Sequence, residues 1–281
     1  MNAPSSTDSF LDRRFAGLGG DLVGTIDSRP PLVLLPGLTF TRDNWRPVLD
    51  ALARVDPDRH VLSLDLPGQG ESEHVPQRRM ADIVTLLRDA LDAAGLDAPV
   101  LVGHSMSGGL ASLYAADHPC RGVVNIDAAP DLGPFVRLLQ SFTEQIRGDG
   151  LPQVWQLMVA SFHLEVLPTA AQALVRATSH PKPALIRSYW AELLDTAPDV
   201  VDAWVAESMK RVSASGVPYL LILGADPAAD VRARVAGYLP NAVVDVWPGS
   251  GHFPHLAHPR RLAARLAATA HWTPGVRPAA D

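Results

Sequence analysis

With one cysteine in 281 residues, Cys120, the chain cannot build a disulfide framework and lacks the paired thiols of a structural zinc site. That scarcity fits a reducing compartment. Lysine is almost absent, with only Lys182 and Lys210 present, and the arginines are scattered rather than grouped into a stripe. Together with a net charge of -6, this argues against a polyanionic partner, and no nucleic acid is expected. No segment holds 18 consecutive apolar residues, which excludes an ordinary membrane-spanning helix. The opening MNAPSSTDSF has neither a charged leader region nor an apolar stretch behind it. The expectation is a cytoplasmic, soluble protein without membrane attachment, either a monomer or a homodimer.

What the chain does contain is 47% hydrophobic residues, enough for one large core, and a regular alternation of short apolar runs with longer amphipathic ones. The Gly-rich stretch from Phe15 to Asp27 reads as a hairpin, and PLVLLPG, HVLSLDLPGQG, APVLVG and GVVNID read as buried strands. RDNWRPVLDALARV, MADIVTLLRDALDAAGL and SMSGGLASLYAADHP between them carry helical spacing. From about Asp131 to Ser215 the strand signal disappears. Helical stretches take over there: VWQLMVASF, AAQALVRA, ALIRSYWAELL and VVDAWVAESMKRV. Strands return at VPYLLILG and AVVDVW, with AADVRARVAGYL between them and RRLAARLAATAHW at the end. Uninterrupted apolar strands separated by helices predict an α/β protein with a mostly parallel eight-stranded sheet covered on both faces. Residues 1–130 and 216–281 form its core, and 131–215 form an inserted helical lid.

Four segments in chain order give this pattern a family likeness: LLPG followed by Leu38, DLPGQGES at Asp65–Ser72, GHSMSGG at Gly103–Gly109, and GSGHFPHLAHP at Gly249–Pro259. Together they resemble the α/β-hydrolase fold family. The resemblance implies a nucleophilic serine on a sharp strand-to-helix turn, a histidine after the last strand, and no cofactor or metal. LVGHSMSGG holds two serines. The strand VLV ends at Val102, which places the turn at Gly103–Ser105 and makes Ser105 the nucleophile. Ser107 then lies within the helix, replacing a glycine that would let the helix approach its neighbouring strands, and its hydroxyl can bond back to a carbonyl one turn earlier. By the same resemblance His252 is the base, the backbone N–H groups of Leu38 and Met106 form an oxyanion hole, and Asp65 serves its loop. His104 reads as a packing neighbour of the serine. A metal site at His252, His255 and His258 is disfavoured by the spacing of three and by Pro254 and Pro259.

The acid that orients His252 has two candidates. Asp226, in Gly224-Ala225-Asp226, stands where the family most often carries it but one residue early, directly before Pro227. Asp127 ends the strand beside the one bearing Ser105, an arrangement similar to that of some subfamilies. Asp127 is preferred; Asp131 and Asp230 read as helix-start residues. Phe135, Trp155, Met158, Phe162, Trp190, Trp204 and Met209, concentrated in the insertion, predict an apolar pocket for a small-molecule substrate. The expected activity is hydrolysis of a small or medium apolar carboxylic ester through an acyl-enzyme. Carbon-carbon bond hydrolase, thioesterase, lactonase and perhydrolase chemistry on the same three residues remain open, as does a non-catalytic receptor that uses the lid as a switch.

Overall fold

The computed structural model describes residues 13–76, 79–129, 132–275 and 278. Strands β1 (Arg13–Phe15) and β2 (Leu18–Val23) form an antiparallel hairpin turned at Ala16-Gly17. Next come β3 (Leu32–Leu35), α1 (Arg46–Val55), β4 (Val61–Leu64), α2 (Met80–Ala93), β5 (Val100–His104), α3 (Met106–Asp117) and β6 (Gly122–Ile126). Among the described residues no strand occurs again until β7 (Tyr219–Leu223), which is followed by α10 (Ala229–Tyr238), β8 (Val243–Val246), α11 (Pro254–Ala257) and α12 (Pro259–Ala268). The eight strands form one sheet in the order β1-β2-β4-β3-β5-β6-β7-β8. From β4 to β8 every pairing is parallel, and β2 joins β4 antiparallel.

The side-chain period of two divides the core. Leu32 and Leu34 face α1 and α12, where Trp45, Val48, Leu52 and Leu266 cover them. Val33 and Leu35 face the opposite way, among Ile83, Leu87 and Leu110. Because both faces are covered by helices, the central strands carry no polar alternation, and β3, β5 and β7 are buried at every position.

Between β6 and β7 lie α4 (Gly133–Ser141), α5 (Thr143–Arg147), α6 (Leu151–Ala160), α7 (Thr169–Thr178), α8 (Pro183–Asp195) and α9 (Pro198–Ser215). The sequence patterns of α6 through α9 are visible, whereas α4 and α5 are additions. Helix α4 opens on Gly133-Pro134, and its first amide is satisfied by Asp202 of α9 at 2.7 Å. That cap comes from the fold, not from a neighbouring residue. Strand β5 also runs two residues further than Val102, through Gly103 to His104, in parallel register with β6. Among the described residues no helix is long and apolar enough to cross a membrane.

Candidate active site

Ser105 stands on the turn between β5 and α3 with φ 55° and ψ -130°, a conformation that non-glycine residues avoid. Small neighbours make the turn possible. A Cβ at Gly103 would lie 2.0 Å from the Ser107 carbonyl oxygen, and one at Gly37 would press on His104 and on the Ser105 Cβ. The close helix-to-strand approach belongs to Gly108, whose Cβ would lie 2.2 Å from Asn125 Oδ1. The Ser105 amide donates to Ile126 O at 2.7 Å, fastening the turn to the tip of β6.

Ser107 is fully buried within α3, as its place in the sequence suggests, but its hydroxyl does not bond back along its own helix. It donates instead to the Pro36 carbonyl at the exit of β3. This bond clips the segment carrying Leu38 to the helix that follows Ser105. Leu38 and Met106 both line the pocket described below, and neither backbone N–H has a hydrogen-bond partner among the described residues.

His252 reaches this turn from the loop between β8 and α11. Its Nδ1–H donates to Asp127 Oδ2 at 2.7 Å, which leaves Nε2 to accept the Ser105 hydroxyl at 2.9 Å. Three contacts fix His252. Its amide donates to Phe162 O at 2.9 Å, its carbonyl accepts His104 Nε2–H at 2.7 Å, and the Phe162 ring stacks on the imidazole at 4.6 Å and 17°. Phe162 was expected only as part of the pocket wall; its hold on the His252 backbone leaves no mark in the sequence.

Asp127 is a left-handed residue, φ 56°, one step beyond β6. Its amide donates to Ile222 O, and its second carboxylate oxygen accepts the Gly224 amide at 2.8 Å. Burial pushes this carboxyl up, but the His252 hydrogen bond and charge, with the Gly224 amide, outweigh it and hold the group below the ordinary aspartate value. Asp226 does not join the site. It is exposed and paired with Arg232 on the surface, and Asp230 is likewise paired with Arg234. Asp131 lies outside the described residues.

Two further histidines are buried close to His252. His104 is fully buried and held at about 3 by burial and by His252, so it is neutral while it grips the His252 carbonyl. His255 is also fully buried and sits well below its ordinary value, for burial and the neighbouring histidines disfavour its charge; its Nε2–H donates to Asn44 at 2.7 Å. His258 packs near Trp247. Among the described residues no group of three His, Cys, Asp or Glu side chains is placed to hold a metal. Asp65 works in its loop, accepting the Arg42 and Glu71 amides and pairing with the Arg42 guanidinium.

Ser105, His252 and Asp127 open onto a cavity of about 490 Å³. Its walls are apolar and aromatic, with Phe135, Trp155, Met158, Phe162, Trp190 and Met209 all contributing from the residues between β6 and β7. Trp204 does not line it and is 48% exposed. Among the described residues no lysine or arginine lines the cavity.

Residues 32–265 match the model of the alpha/beta hydrolase family. The chain belongs to that family. Among curated relatives of this hydrolase is a 2-succinyl-6-hydroxy-2,4-cyclohexadiene-1-carboxylate synthase of Yersinia pseudotuberculosis, 28% identical, with 85% of this chain and 86% of that protein covered. Among solved structures, a protein studied for recognition and ring-cleavage of the Pseudomonas quinolone signal superposes with TM-score 0.72, at 18% identity, over 90% of this chain and 95% of that one. The enol-lactonase of Burkholderia xenovorans LB400 gives 0.70 at 18% identity, over 90% and 96%. These likenesses describe the hydrolase fold; the pocket and its chemistry are this chain's own.

Proposed function

We propose that this hydrolase cleaves a neutral, apolar carboxylic ester of small or medium size through an acyl-enzyme on Ser105. The observation that carries the reading is His252 bridging Ser105 and Asp127 at 2.9 and 2.7 Å on the wall of an apolar cavity. In the first half-reaction Ser105 Oγ attacks the ester carbonyl while its proton passes to His252 Nε2. The Leu38 and Met106 amides donate to the oxyanion, and the departing alkoxide takes the proton from Nε2. Water then attacks the acyl-enzyme by the same route, releasing the acid and restoring the serine. Asp127 keeps the imidazole in the Nδ1–H tautomer and stabilises its cation. Residues 131–215 act as a lid whose aromatic side chains select the acyl group.

The lining also argues against the reaction named for the curated relatives. Their product, by its name, bears a succinyl group and a ring carboxylate, and a buried carboxylate requires a charged or multiply hydrogen-bonded partner. This pocket supplies no lysine or arginine among its described residues. The Trp155–Trp190 pair on the cavity wall, whose centroids are 5.8 Å apart, suits a planar ring as well as an alkyl chain. Opening of a lactone, by acyl transfer to Ser105 and then to water, is therefore the second reading. A fluorophosphonate probe and a panel of neutral esters, anionic esters and lactones test both. Labelling at Ser105 with turnover of neutral esters is expected. No labelling would overturn the acyl-enzyme, and turnover confined to lactones would favour the second reading.

A further inference from the structure

Both ring nitrogens of His252 are engaged, Nδ1 with Asp127 and Nε2 with Ser105. The faces of the imidazole are therefore where the protein can still act on it. Phe162 covers one face, with the two ring centroids 4.6 Å apart and the planes 17° from parallel. Phe162 is itself held in place. Trp155 and Phe253 stand nearly perpendicular to its ring, at 6.4 and 5.9 Å, and its amide donates to Val159 O at 3.1 Å.

The backbone keeps the two rings together. The Phe162 carbonyl accepts the His252 amide at 2.9 Å, so the residue that supplies the aromatic face also anchors the histidine. Gly251 permits this approach, since a Cβ there would lie 2.5 Å from Phe162 O and 2.9 Å from His163 O. A benzene ring offers no hydrogen bond that competes for either imidazole nitrogen, but its face is electron-rich. Against neutral imidazole that face contributes little beyond contact. Against imidazolium it adds an electrostatic attraction, strongest where water is kept away. In the proposed reaction His252 becomes that cation as it takes the Ser105 proton, and an interaction that grows on the way to the transition state raises kcat.

We propose that Phe162 is a positioning residue that acts through His252, its ring face stabilising the imidazolium formed as Ser105 attacks. The inference rests on the acyl-enzyme reading of Ser105. Of the ionisable groups around the imidazole, Asp127 is bonded to it, and His104 and His255 are held neutral by burial. His163 and Glu165 pair with each other at 3.1 Å on the surface beyond Phe162. A change confined to the Phe162 ring leaves all of them in place.

The test replaces Phe162 in the full chain by 4-fluoro-, 3,5-difluoro- and 3,4,5-trifluorophenylalanine, which withdraw charge from the ring face at nearly constant shape. On a neutral ester, kcat is expected to fall with each added fluorine, to about threefold or more below the parent in the trifluoro protein. The acid limb of the kcat/KM profile is expected to move to lower pH in step. Phe162→Leu should lose about three- to thirtyfold in kcat, and Phe162→Tyr should recover most of it. Lost packing alone would lower stability or raise KM without ordering kcat by ring charge. Equal kcat and an unmoved acid limb across the fluorinated series, in an enzyme that a fluorophosphonate labels at Ser105, would overturn the inference alone. A parent protein left unlabelled at Ser105 would overturn the acyl-enzyme reading and the inference with it.

Discussion

Asp127 meets His252 across 2.7 Å from the tip of β6, while Asp226, beyond β7, points outward to Arg232. On the proposed mechanism the two carboxylates therefore have opposite importance. Asp127→Asn should lower kcat by on the order of 10⁴ in a folded protein, because the amide no longer selects the tautomer and cannot stabilise the imidazolium. Asp226→Asn should keep nearly full turnover. Steady-state kinetics on a neutral ester compares the two, and a fully active Asp127→Asn enzyme would remove Asp127 from the mechanism.

The two serines of the elbow should separate in a different way. Ser105→Ala is expected to abolish turnover. Ser107→Ala deletes the donor to the buried Pro36 carbonyl, so it should lower unfolding free energy by about 1–3 kcal/mol while keeping most of the activity. Denaturant unfolding and initial rates on the same preparations check both halves. A Ser107→Ala protein as stable as the parent would mean that the clip contributes nothing.

Pocket specificity should follow the lining rather than the number of aromatic side chains. Trp155→Ala enlarges a cavity wall and should shift preference toward bulkier acyl chains, whereas Trp204→Ala, on the surface, should leave chain-length preference unchanged. kcat/KM across a series of acyl lengths distinguishes them, and equal shifts in the two variants would count against the pocket as the acyl site.

His104 and His255 predict a particular acid sensitivity. Both are held neutral by burial, His104 at about 3 and His255 well below its ordinary value. In the unfolded chain they bind protons at about 6.5. Depressed values of this kind give stability that is complete above the unfolded pKa and is lost as pH falls below it. Between pH 6.5 and 4 each should contribute a slope of up to about 1.4 kcal/mol per pH unit. His255→Gln should reduce the slope, to be read from unfolding free energies measured at several pH values; an unchanged slope would show that His255 is not the group responsible.

Much of this arrangement is legible in the residue string because local and tertiary demands coincide. The apolar runs of β3 and β7 are continuous since both sheet faces are covered there, and Gly103 marks a place where a Cβ would strike the Ser107 carbonyl. What escapes the sequence depends on distant partners. Helix α4 takes its cap from Asp202, Ser107 finds Pro36 rather than its own helix, and Phe162 grips His252 from 90 positions away. Asp127 falls between these cases. Its position at a strand end can be read directly, but its preference over Asp226 rests on how far each strand tip lies from the histidine.

On the proposed mechanism the orienting carboxylate follows β6, so the connection after β7 is relieved of any duty to deliver one. Gly224 must stay as it is, because its amide holds Asp127 and a Cβ there would come within 1.8 Å of Gly251 O. Asp226 is exposed, and among the described residues its carboxylate pairs with Arg232. Foreign peptide inserted after Pro227, beyond Ala225 on the cavity wall, should leave turnover near that of the parent, which initial rates on a neutral ester would check.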